Sequence, residues 1–284
     1  MSQSIKVAVI GAGTMGNGIA QTYAANGHAV TLVDMSQQGL DRGMATIRKS
    51  LDRFVKKEKI TQELSDEIMG RVAGSTDLAT AVADVDMVVE AVFEKEEVKK
   101  SVFVELDKHA PANAILATNT SSISITAIAS VTSRPESVVG MHFMNPVPLM
   151  KLVELIKGEK TSAEVVARTK EIAESLGKTV GVAEDYAGFV SNRVLMPMIN
   201  EAAFVLYEGV ATRDDIDTIM KLGMNHPMGP LALADFIGID VCVNILDYMH
   251  QQFGDPKFRC APNMRRMVEA GKLGRKSGEG FYAY

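Results

Sequence analysis

Disulfides, membrane spans and a basic surface are all missing from this 284-residue sequence, and each absence removes a class of function. Two cysteines, Cys242 and Cys260, cannot build a disulfide framework or a four-cysteine zinc site. Reduced thiols, no metal and a cytoplasmic setting are the expectation. No stretch approaches the roughly 18 apolar residues that a membrane helix needs. The opening segment MSQSIKVAVIGAG has no basic leader and runs straight into glycines, so it reads as neither signal peptide nor anchor. Thirty Lys+Arg against 35 Asp+Glu leave a formal net charge of −5, which argues against a nucleic-acid partner. A small anionic ligand remains compatible, because a local cationic patch can sit on an acidic protein.

What is present is enough for folded domains. Hydrophobic residues make up 46% of the chain, ample for a buried core, and the length suggests two domains. The first half alternates strand-like runs (Ile5 to Ile10, Ala29 to Val33, Val85 to Val92, Ala114 to Thr118, Val138 to Phe143) with helical stretches such as 95–109. That alternation predicts an α/β, Rossmann-type doubly wound sheet. A charged stretch from about Asp41 to Arg71 is too long for an ordinary connection and reads as an inserted helical hairpin. From about residue 185 the pattern becomes helical, over 188–207, 212–222, 230–250 and 262–270. The expected division is therefore 1–184, a nucleotide-binding domain, and 185–284, an all-α domain, with a cleft between them.

Gly11, Gly13 and Gly16 form G-x-G-x-x-G between the first strand and a helix. The first glycine allows the tight turn, the second lets backbone approach a pyrophosphate, and the third lets helix and strand pack closely. Asp34 closes the second strand, where a carboxylate binds ribose hydroxyls and repels a 2′-phosphate. Strand, spacing and acid together predict NAD rather than NADP.

His142 ends a predicted strand, and Glu154 is the one carboxylate within the apolar strand KLVELI. An unpaired buried carboxylate is costly, so Glu154 should have a specific partner. A neighbouring imidazole would be oriented by it and could exchange a proton with a substrate hydroxyl. His28, His109, His226 and His250 carry no comparable partner signal and read as structural or exposed. Asn119, Thr120, Ser121 and Ser122 follow a strand end and offer donors to a nicotinamide or a substrate oxygen, or cap a helix. Asn192 and Arg193 either face the cleft or satisfy buried backbone. Arg48, Lys49, Arg53, Lys56, Lys57 and Lys59 make the hairpin cationic, as a solvated face or as a site for a phosphate-bearing substrate tail.

The segments VIGAGTMGNGIA, NTSS, GMHFMNPVPLMKLVE, DYAGFVSNRVLMP, MGPLALADFIGID and GRKSGEGFY occur in one order along essentially the whole chain. Together they resemble the L-3-hydroxyacyl-CoA dehydrogenase family, and within it the bacterial members that act on four-carbon acyl chains. The resemblance implies NAD held by Gly11, Gly13, Gly16 and Asp34, with Glu94, Lys99, Asn119, Ser121, Asn145 and Lys276 as further cofactor contacts. It implies a catalytic pair of His142 and Glu154, with Ser121 and Asn192 against the reacting end of an acyl-CoA substrate. Ser50 and Lys57 match the positions that hold the CoA portion, and the helical domain matches the one through which the family forms homodimers.

Overall fold

The computed structural model describes residues 4–284. It divides into two compact units, one ending at Asp185 and the other running from Tyr186 to Tyr284.

In chain order the first unit contains β1 (Lys6–Ile10), α1 (Thr14–Ala25), β2 (Ala29–Val33), α2 (Gln37–Lys56) and α3 (Gln62–Gly70). Then come β3 (Val72–Ser75), α4 (Leu78–Val82), β4 (Met87–Glu90), α5 (Glu96–His109) and β5 (Ile115–Thr118). It ends with α6 (Ile125–Ala129), β6 (Val138–Phe143), β7 (Leu152–Lys157), α7 (Ala163–Ser175) and β8 (Thr179–Glu184). The eight strands lie in the order β3-β2-β1-β4-β5-β6-β7-β8. Their first six positions follow the dinucleotide-binding order, which reverses direction beside β1 and opens a crevice at the carboxyl ends of the strands there. Central strands are apolar on both faces, as burial between two helical layers requires: VAVI of β1 and MVV of β4 are fully enclosed. The expected α/β class and the inserted hairpin are both found, the hairpin as α2 and α3.

One pairing departs from an all-parallel sheet. β6 and β7 run antiparallel, whereas every other adjacent pair is parallel. The link between them spans only residues 144–151, shorter than the dozen or so residues a parallel crossover takes. The chain must therefore turn back on itself, and that reversal brings Glu154 beside His142.

The second unit is helical: α8 (Ser191–Tyr207), α9 (Arg213–Gly223), α10 (Pro230–Ile237), α11 (Ile239–Phe253) and α12 (Pro262–Glu269). The stretch 230–250, read as one helix in the sequence, is two helices broken at Gly238, which has φ of 108°. Their shared core includes Met196, Ile199, Leu231, Leu246 and Phe258. Two buried aspartates organise the rest. Asp217 accepts from the Leu231 and Ala232 amides at 2.9 Å each and so satisfies the start of α10. Asp235 accepts from the Phe281 and Tyr282 amides at 2.8 Å each and fastens the final segment. A side chain at Gly280 would put its Cβ 2.0 Å from Asp235 Oδ1, so the two motifs MGPLALADFIGID and GRKSGEGFY are built for each other. No helix among the described residues is long and apolar enough to cross a membrane.

Candidate active site

The glycine loop joins β1 to the amino terminus of α1, where unpaired N–H groups and the helix dipole favour an anion. Gly11 has φ of 102°, and a Cβ there would lie 2.6 Å from Ala91 O. At Gly16 a Cβ would lie 1.7 Å from Gly11 O, so close packing of loop and helix forbids a side chain. Gly13 differs: nothing stands within 4 Å of the Cβ position. Two of the glycines make the loop compact, and the third leaves open space at the helix terminus, as a pyrophosphate would require. Asp34 Oδ2 accepts from the Ala12 amide at 3.1 Å, and Oδ1 accepts from the Ser36 amide at 3.1 Å. The carboxylate is thereby fixed at the end of β2, beside that space. These features fit an NAD cofactor.

His142 and Glu154 face each other across the β6–β7 pair. The two residues are 8% and 4% exposed, and His142 Nδ1 lies 3.1 Å from Glu154 Oε2. An ionised carboxylate can only accept, so Nδ1 carries the hydrogen and donates it. The strand pairing that the backbone dictates is thus also the pairing that orients the imidazole.

The polar loop after β5 stands at the same edge of the sheet. Asn119 Oδ1 accepts from the Phe143 amide at 2.9 Å, joining this loop to the end of the histidine strand. Glu94 Oε1 accepts from Thr120 Oγ1 at 2.5 Å, from the Ser121 amide at 2.7 Å and from the Ser122 amide at 3.2 Å. Burial pushes the Glu94 carboxyl pKa up, but the Lys99 charge and these hydrogen bonds outweigh it and hold the group below its ordinary value. Lys99 itself is enclosed, with its ammonium donating to Glu90 Oε1 at 2.7 Å. Asn145 is exposed in the loop after β6.

The structure therefore gathers His142, Glu154, Asn119, Ser121 and Glu94 at one edge of the first unit. Ser50 and Lys57 lie seven residues apart on α2 and at its carboxyl-terminal cap, about two helical turns, which sets them on one side. Ser50 is half-buried and Lys57 exposed. Asn192 and Lys276 belong to the second unit. Asn192 is buried in the first turn of α8, and Lys276 Nζ donates to Asp240 Oδ2 at 2.7 Å. A buried acid and a buried cation beside these residues escaped the sequence reading. Glu90 lies inside an apolar strand, and the rule that singled out Glu154, that a buried carboxylate demands a partner, would have found it too. Lys178 is 8% exposed and donates to the carbonyls of Val147 and Met150 at 2.7 Å each.

Comparison with known proteins agrees across both units. The family model described as 3-hydroxyacyl-CoA dehydrogenase, NAD binding domain, matches residues 6–186, and that for the C-terminal domain matches residues 188–284. A probable 3-hydroxybutyryl-CoA dehydrogenase of Deinococcus radiodurans is 53% identical over 280 residues, covering 99% of this chain and 100% of that one. A 3-hydroxybutyryl-CoA dehydrogenase of Bradyrhizobium diazoefficiens is 50% identical over 279 residues, covering 98% and 95%. Among solved structures, that of (S)-3-hydroxybutyryl-CoA dehydrogenase from Ralstonia eutropha superposes with a TM-score of 0.95 at 48% identity, over 99% of each chain.

Proposed function

The chain belongs to the 3-hydroxyacyl-CoA dehydrogenase family and is an NAD-dependent dehydrogenase, and on that premise we propose that it interconverts (S)-3-hydroxybutyryl-CoA and acetoacetyl-CoA with His142 as general acid and base. The observation that carries this reading is the His142–Glu154 pair at the carboxyl edge of a nucleotide-binding sheet. When bound, the nicotinamide supplies the hydride acceptor for oxidation and the donor for reduction.

In oxidation, His142 Nε2 takes the proton of the substrate 3-hydroxyl. In reduction the imidazolium returns a proton to the developing alkoxide. Glu154 holds the tautomer that makes Nε2 the exchanging nitrogen, and its negative charge stabilises the imidazolium. Acid–base exchange of this kind supplies about 10²–10⁴-fold in rate. Positioning of the reacting groups must supply much of the remainder. Ser121 and Asn192 hold the 3-oxygen and the thioester carbonyl. Gly11, Gly13, Gly16 and Asp34 hold the cofactor, with Glu94, Asn119, Asn145 and Lys276 in supporting contact; Lys99, expected among these contacts, is enclosed between Glu90 and Glu94 and supports the site from beneath. Ser50 and Lys57 take the phosphate-bearing CoA portion.

The expected assembly is a homodimer formed through the helical unit. Its exposed apolar side chains Tyr207, Val210, Ile219, Leu222 and Met224 support association. Light scattering on the purified protein tests that part.

The substrate assignment is tested by NADH absorbance with acetoacetyl-CoA and free acetoacetate compared in parallel. Turnover of the thioester with little or none of the free acid is expected. Preference for the free acid would instead make this a hydroxyacid dehydrogenase on the same scaffold, and binding of NADH without turnover of either would leave a non-catalytic protein.

A further inference from the structure

Beneath the polar loop after β5 lies an ion pair with almost no access to water. Glu90, the last residue of β4, is 0% exposed, and Lys99, one turn into α5, is 1% exposed. Besides its 2.7 Å bond to Glu90, the Lys99 ammonium stands 3.3 Å from Glu94 Oε2. Glu90 is fully engaged on its own side. Its Oε1 also accepts from the Val92 amide at 2.7 Å, and its Oε2 accepts from Thr118 Oγ1 at 2.6 Å. One lysine thus joins two carboxylates that flank the turn 91–93.

Such a pair is weak grounds for net stability, because taking both ions out of water can cost more than their attraction returns. Apolar side chains would fill the same space. What an apolar filling could not do is hold Glu94, whose other hydrogen bonds all run to the loop above. Glu94 Oε1 receives the amides of Ser121 and Ser122 and the hydroxyl of Thr120. Ser121 and Ser122 hydroxyls approach the same oxygen at 3.2 and 3.3 Å. The turn is also pressed against the glycine loop, since a Cβ at Gly11 would meet Ala91 O at 2.6 Å. It has no slack on that side, so a change at Glu90 must be expressed on the serine side.

We propose that Glu90 and Lys99 are positioning residues: the buried Glu90 fixes Lys99, Lys99 fixes Glu94, and Glu94 sets the place of Ser121 and Ser122 at the reacting end. The chemical meaning of that end rests on the dehydrogenase reading above; the positioning itself does not. Lys99 acts here through Glu94, with its charge shared between two carboxylates.

Charge is the property that distinguishes this relay from ordinary packing. Lys99 and, behind it, Glu90 are the ionisable groups that face Glu94 from α5 and β4. The loop Asn119 to Ser122 contributes only amides and hydroxyls, and the neighbouring Glu96 is paired with Lys100. Without Lys99, burial would act on Glu94 with less opposition and drive it toward its neutral form. A neutral carboxyl cannot accept all of the serine hydrogens.

Amide hydrogen exchange on the full chain tests this directly, with Lys99→Met, Lys99→Arg and Glu90→Gln. In Lys99→Met the Ser121 and Ser122 amides should lose about tenfold in protection. The loss should grow as pH falls, as Glu94 protonates. Lys99→Arg keeps the charge and should restore most of the protection. Glu90→Gln keeps the shape, removes the buried charge and should lose protection in the same two amides. With acetoacetyl-CoA, kcat of Lys99→Met should fall more than KM for NADH rises, with a new acidic limb in the pH profile. Unchanged protection at Ser121 and Ser122 in both Lys99→Met and Glu90→Gln overturns the proposal, as does a loss without pH dependence. If Lys99→Met fails to fold, Glu90→Gln decides. If the wild type turns over no acyl-CoA, the exchange measurements still decide the relay, and only the proposed function falls.

Discussion

His142 and Glu154 are directly opposite partners in the antiparallel β6–β7 ladder, and their buried side chains meet at 3.1 Å. Both residues sit on strands, and the turn between those strands sets them opposite each other. Glu154→Gln keeps the size and an acceptor oxygen but removes the charge that stabilises an imidazolium, and it allows the ring to settle in the wrong tautomer. We expect kcat to fall about 10²- to 10⁴-fold for His142→Gln, with a smaller loss for Glu154→Gln. NADH affinity, read by fluorescence titration, should stay near the wild-type value in both. Near-normal kcat in His142→Gln would remove the histidine from the chemistry.

The glycine loop predicts a contrast between two substitutions of the same kind. A Cβ at Gly16 would collide with the carbonyl oxygen of Gly11, which is backbone and cannot swing away. Gly16→Ala should therefore destabilise the fold by about 1–3 kcal/mol, the range for overpacking. At Gly13 the φ of −64° suits any L residue and the Cβ meets nothing. Gly13→Ala should leave stability within about 0.5 kcal/mol and yet raise KM for NADH. Urea unfolding and initial rates on both variants check this. Equal KM values for Gly13→Ala and wild type would show that the space beside it is not used by the cofactor.

The sequence carried the two-unit plan and the glycine loop because both are local: a short apolar run, a turn and a helix occupy neighbouring positions. It carried the His142–Glu154 pair because a lone carboxylate in an apolar strand is a visible anomaly. The antiparallel turn between β6 and β7 was not visible as such, since either direction of β7 shows the same apolar pattern. Edge strands β3 and β8 were missed for a related reason. Val72 is the buried residue of β3, β8 is largely exposed, and each contains a glycine, so neither has the apolar run that marks a central strand. Lys99 entered the sequence reading only through the family resemblance, as a cofactor contact; its burial follows from Glu90, and that pairing spans two elements.

Acid should reveal a second buried histidine. His28 is 2% exposed, its Nδ1 accepts from the Ile5 amide at 3.2 Å, and Nε2 has no hydrogen-bond partner among the described residues. Protonation would place a hydrogen on Nδ1 against the Ile5 N–H, and burial already pushes the imidazolium pKa below its ordinary value near 6.5. The unfolded chain thus binds this proton at a higher pH than the folded one. The contribution is fully present above about pH 6.5 and is lost as pH falls through the lowered folded value, with a slope of at most about 1.4 kcal/mol per pH unit. His28→Gln keeps an acceptor and cannot titrate. The difference in unfolding free energy between wild type and His28→Gln should therefore shrink or reverse as pH falls below about 6.5. A difference that is constant with pH would mean that His28 does not titrate differently in the two states.

Lys178 is expected to matter to the histidine strand without touching it. Its ammonium is nearly enclosed and donates to the carbonyls of Val147 and Met150, both in the loop that turns β6 back into β7. That loop also carries Asn145 and packs Val147 against α1, where a Cβ at Gly18 would lie 3.0 Å from Val147 Cβ. Burial lowers the lysine pKa, so the ammonium is held there at a cost that the two carbonyl bonds must offset. Lys178→Met fills the same space but leaves the Val147 carbonyl buried and unpaired, which costs about 1–3 kcal/mol. The consequence should reach beyond stability, because the loop sets the approach of β7 to β6 and thus the line between Glu154 and His142. We expect lower kcat in Lys178→Met at temperatures where it is fully folded, with KM for acetoacetyl-CoA changed less than kcat. Circular dichroism establishes the folded range, and initial rates within it supply the comparison. A variant that is destabilised but turns over at the wild-type rate would confine Lys178 to the stability of the loop.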